Sequence, residues 1–300
     1  MTETIQNRIH RLKTEKNAII LAHNYELPEI QDIADVVGDS LELAIKAKEA
    51  TEEIIVFCGV EFMAETAKIL NPEKTVILPV KGAGCPLADQ LTPEMLIEAK
   101  QEYPGAEVVV YVNSTAECKA VADLVCTSAN AANVVRSCRS KTVIFGPDSN
   151  LADYVQGEVP EKVIVPVPKT GHCYVHTLFT EDDVREAKKN GTITICHPEC
   201  PKDIRDSADI IASTGGMVRE AVKGDHWTIF TEKEMAYRLK TLYPDKEFSV
   251  NENAICRDMK LTTLKKLEEA LISGEYNVTL PDDIIQKARG AIERMIAIRG

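Results

Sequence analysis

One pattern is written three times along this chain, and no other feature limits its fold so tightly. The dipeptide Ala-Asp occurs at Ala34-Asp35, Ala122-Asp123 and Ala208-Asp209, opening the segments ADVVGDS, ADLVCTS and ADIIAST. Each segment continues with two apolar residues, a short turn and a hydroxyl, at Ser40, Ser128 and Thr214. Twelve residues before each Asp stand His23, Tyr111 and His197, each closing an apolar run, and two residues after these come Tyr25, Asn113 and Glu199. Phe57, Phe145 and Phe230 follow the three Asp residues by 22, 22 and 21 positions, and Cys85, Cys173 and Cys256 by 50, 50 and 47. Self-similarity at a fixed period decides architecture ahead of any local signal. A period of about 85 residues is too long for a solenoid unit and suits a small α/β domain.

Within each repeat, helical periodicity alternates with short, continuous apolar runs. In the first, residues 5–16 read as a helix, NAIILA as a strand ending at His23, and 28–35 as a second helix. VVG then gives a brief strand, Ser40 precedes the helical LELAIKAKEA, and EIIVFC, a helix over 61–70 and TVILPV complete the unit. Runs rich in Ile and Val without alternation suit strands buried on both faces. A serine directly ahead of a helical pattern reads as its N-cap. The second and third repeats follow the same order, through AEVVVYV, LVC, TVIFG and KVIVPV, then TITIC, DII, TIF and FSV. The expected fold is α/β, with three similar αβα domains whose small parallel sheets surround a pseudo-threefold axis. The divisions fall at 1–90, 91–178 and 179–260, and 261–300 supplies two C-terminal helices. Units this small are expected to share interfaces.

Composition narrows the partners. The formal net charge of −12 argues against a nucleic-acid ligand. No apolar stretch is long enough to span a membrane, and the polar residues 1–16 do not read as a secretory signal. Nine cysteines then fit a reducing cytoplasm better than a disulfide framework. Six of them, Cys58, Cys118, Cys126, Cys138, Cys196 and Cys200, lack counterparts in the other repeats. Cys196 and Cys200 bracket half of a possible metal site, and His172, Cys173 and His176 suggest zinc, but neither set has the companion pair that zinc spacing requires.

The three repeated cysteines sit in turn-rich text that follows the last apolar run of each unit: KGAGCP, KTGHCY and NENAICRD. In open parallel sheets, ligands bind beyond the carboxyl ends of the strands, which is where every repeated residue falls. Around a threefold axis the three thiols would face a ring of His, Tyr, Asn, Glu, Ser and Thr. Structural zinc prefers four closed ligands, whereas soft sulfur donors also suit an iron–sulfur cluster. Held by three thiolates, a 4Fe–4S cluster keeps one iron open as a Lewis acid. Ser40, Ser128 and Thr214, if each opens a helix, place three positive helix ends around one cavity and favour a small polyanion. An iron–sulfur hydro-lyase for a hydroxy-acid, an iron–sulfur sensor or electron carrier, and a three-cysteine zinc scaffold stand as alternatives.

The segments LAHNY at 21–25, VGDS at 37–40, YVNST at 111–115, CTSAN at 126–130, GHC at 171–173, HPEC at 197–200 and STG at 213–215 resemble those of the quinolinate synthase family over essentially the whole chain. The resemblance implies one 4Fe–4S cluster on Cys85, Cys173 and Cys256. It also implies condensation of iminoaspartate with dihydroxyacetone phosphate to quinolinate, phosphate and water in NAD biosynthesis, a transferase reaction. His23, Tyr25, Ser40, Tyr111, Asn113, Ser128, His197, Glu199 and Thr214 become substrate contacts by the same likeness. Proton transfers dominate such a reaction. Glu199 is the expected general base, with Tyr25 and Tyr111 as proton donors or relays and the two histidines binding anionic oxygens. The small anionic substrates are the expected partners, with the enzyme that supplies iminoaspartate. Some members carry a Cys-x-x-Cys pair that this chain lacks, since Cys256 is followed by Arg257-Asp258-Met259. Asp35, Asp123 and Asp209, equally repeated, are expected to be structural.

Overall fold

The computed structural model describes residues 3–298. The apolar runs form twelve strands, numbered in chain order, in three parallel sheets. The first sheet holds β1 (Ala18–His23), β2 (Val36–Gly38), β3 (Ile54–Cys58) and β4 (Thr75–Ile77) in the order β2-β1-β3-β4. The second holds β5 (Glu107–Tyr111), β6 (Leu124–Cys126), β7 (Thr142–Gly146) and β8 (Val163–Pro166), ordered β6-β5-β7-β8. The third holds β9 (Ile193–Cys196), β10 (Ile210–Ile211), β11 (His226–Phe230) and β12 (Glu247–Val250), ordered β10-β9-β11-β12. One topology is thus built three times, each sheet from one repeat.

Four helices accompany each sheet: α1 (Ile5–Glu15), α2 (Pro28–Ile33), α3 (Ser40–Glu49) and α4 (Glu61–Leu70) in the first repeat. Their counterparts are α5 (Pro93–Glu102), α6 (Ala116–Val121), α7 (Ala131–Ser137) and α8 (Ser149–Glu158) in the second, and α9 (Glu181–Lys189), α10 (Lys202–Ser207), α11 (Thr214–Glu220) and α12 (Glu234–Leu242) in the third. The closing helices are α13 (Leu264–Ser273), packed on α1, and α14 (Asp282–Ala297), packed on α6, β6, α4 and α3. The first and second units share a core, while the third keeps apolar clusters of its own. One apolar cluster runs from Leu21 and Phe57 through Val109 and Phe145 to Ile292 and Met295. Among the described residues, no helix is long and apolar enough to cross a membrane.

The repeated Asp residues are structural, and their role is the same three times. Asp35, Asp123 and Asp209 each take a backbone N–H on Oδ2, from Ile20 (2.8 Å), Val108 (2.8 Å) and Thr194 (2.9 Å). Each returns its own N–H to that residue's carbonyl, at 2.9, 2.9 and 3.1 Å. Lys13, Lys100 and Lys188, from the first helix of each unit, complete the tie at 2.5, 3.3 and 2.8 Å. This fixes the register between the first and second strand, and hence where both strands release their functional loops.

Two sequence expectations shift in detail. The ladder sets Leu21 against Phe57, Val109 against Phe145 and Ile195 against Ile229, so Phe230 lies level with Cys58 and Gly146. The cysteines also do not follow directly on strands. The last strands end at Ile77, Pro166 and Val250, and each cysteine sits six to eight residues later, ahead of a 3-10 turn at Ala88–Gln90, His176–Leu178 or Met259–Leu261.

Candidate active site

The cysteine loops are held by a bond that also recurs threefold. The first N–H of each closing segment, from Glu61, Ser149 and Lys233, donates to a carbonyl two residues before the cysteine, at Ala83 (2.8 Å), Gly171 (2.7 Å) and Ala254 (2.9 Å). Glycine is required only at the second of these, where an added Cβ would stand 2.0 Å from the Pro147 carbonyl oxygen. Beyond each cysteine the tightening chain turns N–H groups onto the sulfur. Leu87 and Ala88 donate to Cys85, Val175 and His176 to Cys173, and Met259 to Cys256. Burial raises the Cys85 thiol to about 12 and the Cys256 thiol to about 11, and raises Cys173 too. The six unrepeated cysteines are fully buried, and these three are half-buried.

All three repeated thiols line one small cavity, of about 70 Å³, where the repeats meet. Its wall also holds His23, Tyr25, Ser40, Tyr111, Asn113, Ser128, His197, Glu199 and Thr214, so the expected cysteine ligands and substrate contacts arrive at one place. His172 does not, being exposed and turned onto the Thr170 carbonyl. Cys196 and Cys200 stay in the core, where Cys200 donates to the Phe230 carbonyl.

The hydroxyls are not the caps they resemble. Asp39 caps α3, accepting from Leu41 and Glu42 at 3.0 and 2.9 Å, and Ser213 caps α11, accepting from Gly216 at 3.2 Å. Ser40 and Thr214 are the first helical residues, and Ser128 lies in the turn before α7. Asp39 therefore occupies much of the positive end of α3, and side-chain donors are what face the cavity. The capped ends do converge. A Cβ on Gly215 would come within 2.5 Å of Asp39 Oδ2, so glycine is what admits α11 beside α3.

Those donors are uncharged. The Tyr25 N–H donates to His23 Nδ1 at 3.2 Å, and the Glu199 N–H donates to His197 Nδ1 at 3.3 Å. With Nδ1 accepting, each neutral ring carries its proton on Nε2. Burial, aided by Lys260 near His23 and His176 beside His197, lowers both imidazoles to about 3. His197 Nε2 then donates to Ser128 Oγ (3.1 Å), and Asn24 Nδ2 donates to Thr214 Oγ1 (3.0 Å). Both hydroxyls keep their own protons for a ligand. Among the described residues, those lining the cavity include no lysine or arginine.

A second set of contacts joins the two phenols. Tyr111 donates to Glu199 Oε1 at 2.5 Å, and Glu199 Oε2 meets His176 Nδ1 at 3.0 Å. His176 Nε2 lies 2.8 Å from Thr231 Oγ1, which lies 2.5 Å from the Tyr25 hydroxyl. His176 also stacks on His197, with ring centroids 4.5 Å apart. Burial opposes ionisation of Glu199, but His176, His197 and the Tyr111 hydroxyl outweigh it and hold the carboxyl down to about 2. Burial pushes both phenols well up, so they remain proton donors. Glu232, also on the wall, accepts from Lys260 (2.8 Å) and from the Cys256 N–H (3.2 Å). Thr231 and Glu232 escaped the sequence reading, and His176 entered it only as a possible zinc ligand, because their residue types do not recur. The positions do: His176 matches Ala88 and Met259 at the head of each 3-10 turn, and Glu232 matches Val60 and Asp148.

The family model described as quinolinate synthetase A protein matches residues 7–297. The chain belongs to that family. The quinolinate synthase of Pyrococcus furiosus is 55% identical over 98% of this chain and 98% of its own. Those of Methanothermobacter thermautotrophicus and Thermotoga maritima are 50% and 49% identical, covering 99% and 98% of this chain and 99% of each relative.

Proposed function

We propose that this family member is a quinolinate synthase, condensing iminoaspartate with dihydroxyacetone phosphate to quinolinate, phosphate and water, a transferase of the cytoplasm. Family membership makes it an enzyme of NAD biosynthesis. The observation that carries the finer reading is the convergence of three recurring thiols and a ring of neutral donors on one cavity. We place the unit boundaries at 90, 178 and 260, as in the sequence reading.

The donor set fits a 4Fe–4S cluster on Cys85, Cys173 and Cys256. A single zinc ion at 2.3 Å from each sulfur would draw the thiolates to about 3.8 Å of one another. Among the described residues, only Cys173, His176 and Glu199 bring three such ligand atoms within 4.8 Å of one another, so the three thiols do not sit as closely as a single zinc ion would draw them. Burial keeps the free thiols protonated, and the N–H donors around each sulfur would offset the charge of a thiolate ligand. Bound there, the cluster supplies a Lewis-acidic iron with a free position.

The chain's own residues divide the remaining work. Ser40, Ser128, Thr214, Asn113 and the Nε2–H of His23 bind carboxylate and phosphate oxygens, with the His197 Nε2–H orienting the Ser128 hydroxyl toward them. Neutral donors bind such ions without fixing them as tightly as lysine or arginine would, which suits release of phosphate. Glu199, held as an anion, is a weak base by itself and serves to orient the His176 imidazole that it contacts. Glu199 fixes His176 Nδ1–H, leaving Nε2 to accept a proton through Thr231 from Tyr25. Tyr111, donating to the other carboxylate oxygen, can return a proton from the opposite wall. The exclusion of bulk water from this buried chain keeps those protons within the relay.

The test is anaerobic incubation of the iron-reconstituted protein with iminoaspartate and dihydroxyacetone phosphate, with products read by mass spectrometry. Pyridine dicarboxylate and free phosphate are expected together. A hydroxy-acid dehydration without either product would overturn the reading in favour of a hydro-lyase.

A further inference from the structure

Four residues before each repeated Asp, at the fourth position of α2, α6 and α10, stand Gln31, Lys119 and Arg205. All three are buried, at 6%, 0% and 6% exposure, and none touches the cavity. Their chemistry differs, yet each makes the same bond. Gln31 Nε2 donates to the Glu26 carbonyl (2.9 Å), Lys119 Nζ to the Ser114 carbonyl (2.7 Å) and Arg205 Nε to the Cys200 carbonyl (2.9 Å). Each acceptor is the residue directly after a wall residue: Tyr25, Asn113 or Glu199.

The same three side chains also cross to a neighbouring repeat, in cyclic order. Gln31 reaches the Glu234 carbonyl of the third repeat (3.4 Å), and Lys119 the Phe62 carbonyl of the first (3.2 Å). Arg205 reaches Asp153 Oδ2 of the second (2.6 Å). Glu234 and Phe62 occupy matching positions, one residue after the N–H that ties down each cysteine loop, and Asp153 lies one turn further along α8. A longer side chain reaches a later turn. Burying three such polar heads is unfavourable unless every donor is used, and here each joins two chain segments that would otherwise be free to move apart.

We propose that Gln31, Lys119 and Arg205 are positioning residues that lock the Tyr25, Asn113 and Glu199 loops to the cysteine-bearing side of the adjacent repeat. They hold the proton-transfer groups at a fixed distance from the thiols. The role in turnover rests on the quinolinate synthase reading; the locking of the loops does not. Displacement of a reacting group by about 1 Å can lower turnover by about a hundredfold, so loss of one clamp should act on kcat more than on substrate affinity.

Arg205 offers the cleanest test, because its partner Asp153 is half-exposed and regains water when the guanidinium is removed. Arg205→Met removes both donations at similar length, and Arg205→Lys substitutes the donor that the second repeat already uses. In Arg205→Met we expect kcat to fall by about tenfold or more with KM changed by less than about threefold. Amide hydrogen exchange of the peptide spanning 197–201 should quicken by about tenfold in the same variant. Arg205→Lys should restore both to within about threefold of the parent. Retention of parental kcat in Arg205→Met, or an equal fall in both variants, would overturn the proposal. Should Arg205→Met not fold, Gln31→Leu carries the same test on the peptide 23–27. A parent that makes no quinolinate would sink the functional reading alone, since the exchange measurement still reports on the clamp.

Discussion

At the scale of single residues, the chain sets the protonation of its own cavity. His23 and His197 accept a backbone N–H at Nδ1 and lie buried, so both stay neutral down to about 3. An unfolded imidazole takes up its proton near pH 6.5, and unfolding therefore binds protons between those two values. Stability from these groups is complete above about pH 7 and is lost as pH falls through about 6 toward 4, at up to about 1.4 kcal/mol per pH unit for each ring. Urea unfolding followed from pH 7 to pH 5 should show this loss, and His197→Asn should flatten it. The carboxyl predicts a different signature. Glu199→Gln keeps the shape but no longer fixes His176 as a base, so turnover should drop by about a hundredfold or more while iron content stays parental. Cys85→Ser, Cys173→Ser and Cys256→Ser should each abolish stable iron binding and the visible absorbance, whereas Cys118→Ala should leave both intact. Full iron content in Cys173→Ser would remove the basis for the cluster assignment. The twelve wall residues were legible in the sequence because repetition marked them. The relay role of His176 and Thr231 was not, because a relay needs each of its members once.

At the scale of elements, the threefold ties explain why such short strands keep their places. A three-residue strand has too few ladder bonds to fix its own register, and the Asp–Lys tie adds a polar anchor at its start. Asp123→Ala removes the acceptor for the Val108 N–H and the partner of Lys100. The site is about two-fifths exposed, so the cost should be modest, about 1–2 kcal/mol in chemical denaturation. Asp123→Asn can still accept from Val108 and should lose about half as much. Turnover should be unchanged in both, which separates these ties from the buried clamps. Element order and strand identity were readable from apolar runs, because buried parallel strands are apolar on both faces. The caps were misassigned by one residue, because Asp39-Ser40 and Ser213-Thr214 each offer two good capping side chains in succession, and only coordinates show which one turns back. Strand ends near the cysteines were misread for a related reason: LPV after Ile77 is apolar to pack the loop, not to extend the ladder.

At the scale of the whole molecule, one closing helix joins the first two repeats. Helix α14 buries Ile285, Ala288, Ala291, Ile292 and Met295 between the first and second repeats, and Asn130 closes its end by donating to the Met295 and Ile298 carbonyls at 3.0 and 2.7 Å. Two isoleucines and a methionine at about 1.5–3 kcal/mol each approach the whole net stability of a typical domain, about 5–15 kcal/mol. A chain ending at Pro281 should therefore fail to fold as a monomer, with loss of the helical circular dichroism signal and aggregation on gel filtration. Three folded units from the truncated chain would show that the repeats are independent. The overall arrangement was legible because the period is; the role of α14 was not, since its apolar face has no counterpart in the other two repeats. The joining of the three units in a single chain also has a consequence for stereochemistry. A trimer of identical subunits would offer an unsymmetrical ligand three equivalent poses. Here the first strands end at His23, Tyr111 and Cys196 with His197 beyond it, so the three walls differ. A ligand with unlike ends would meet a different set of groups in each of its three orientations.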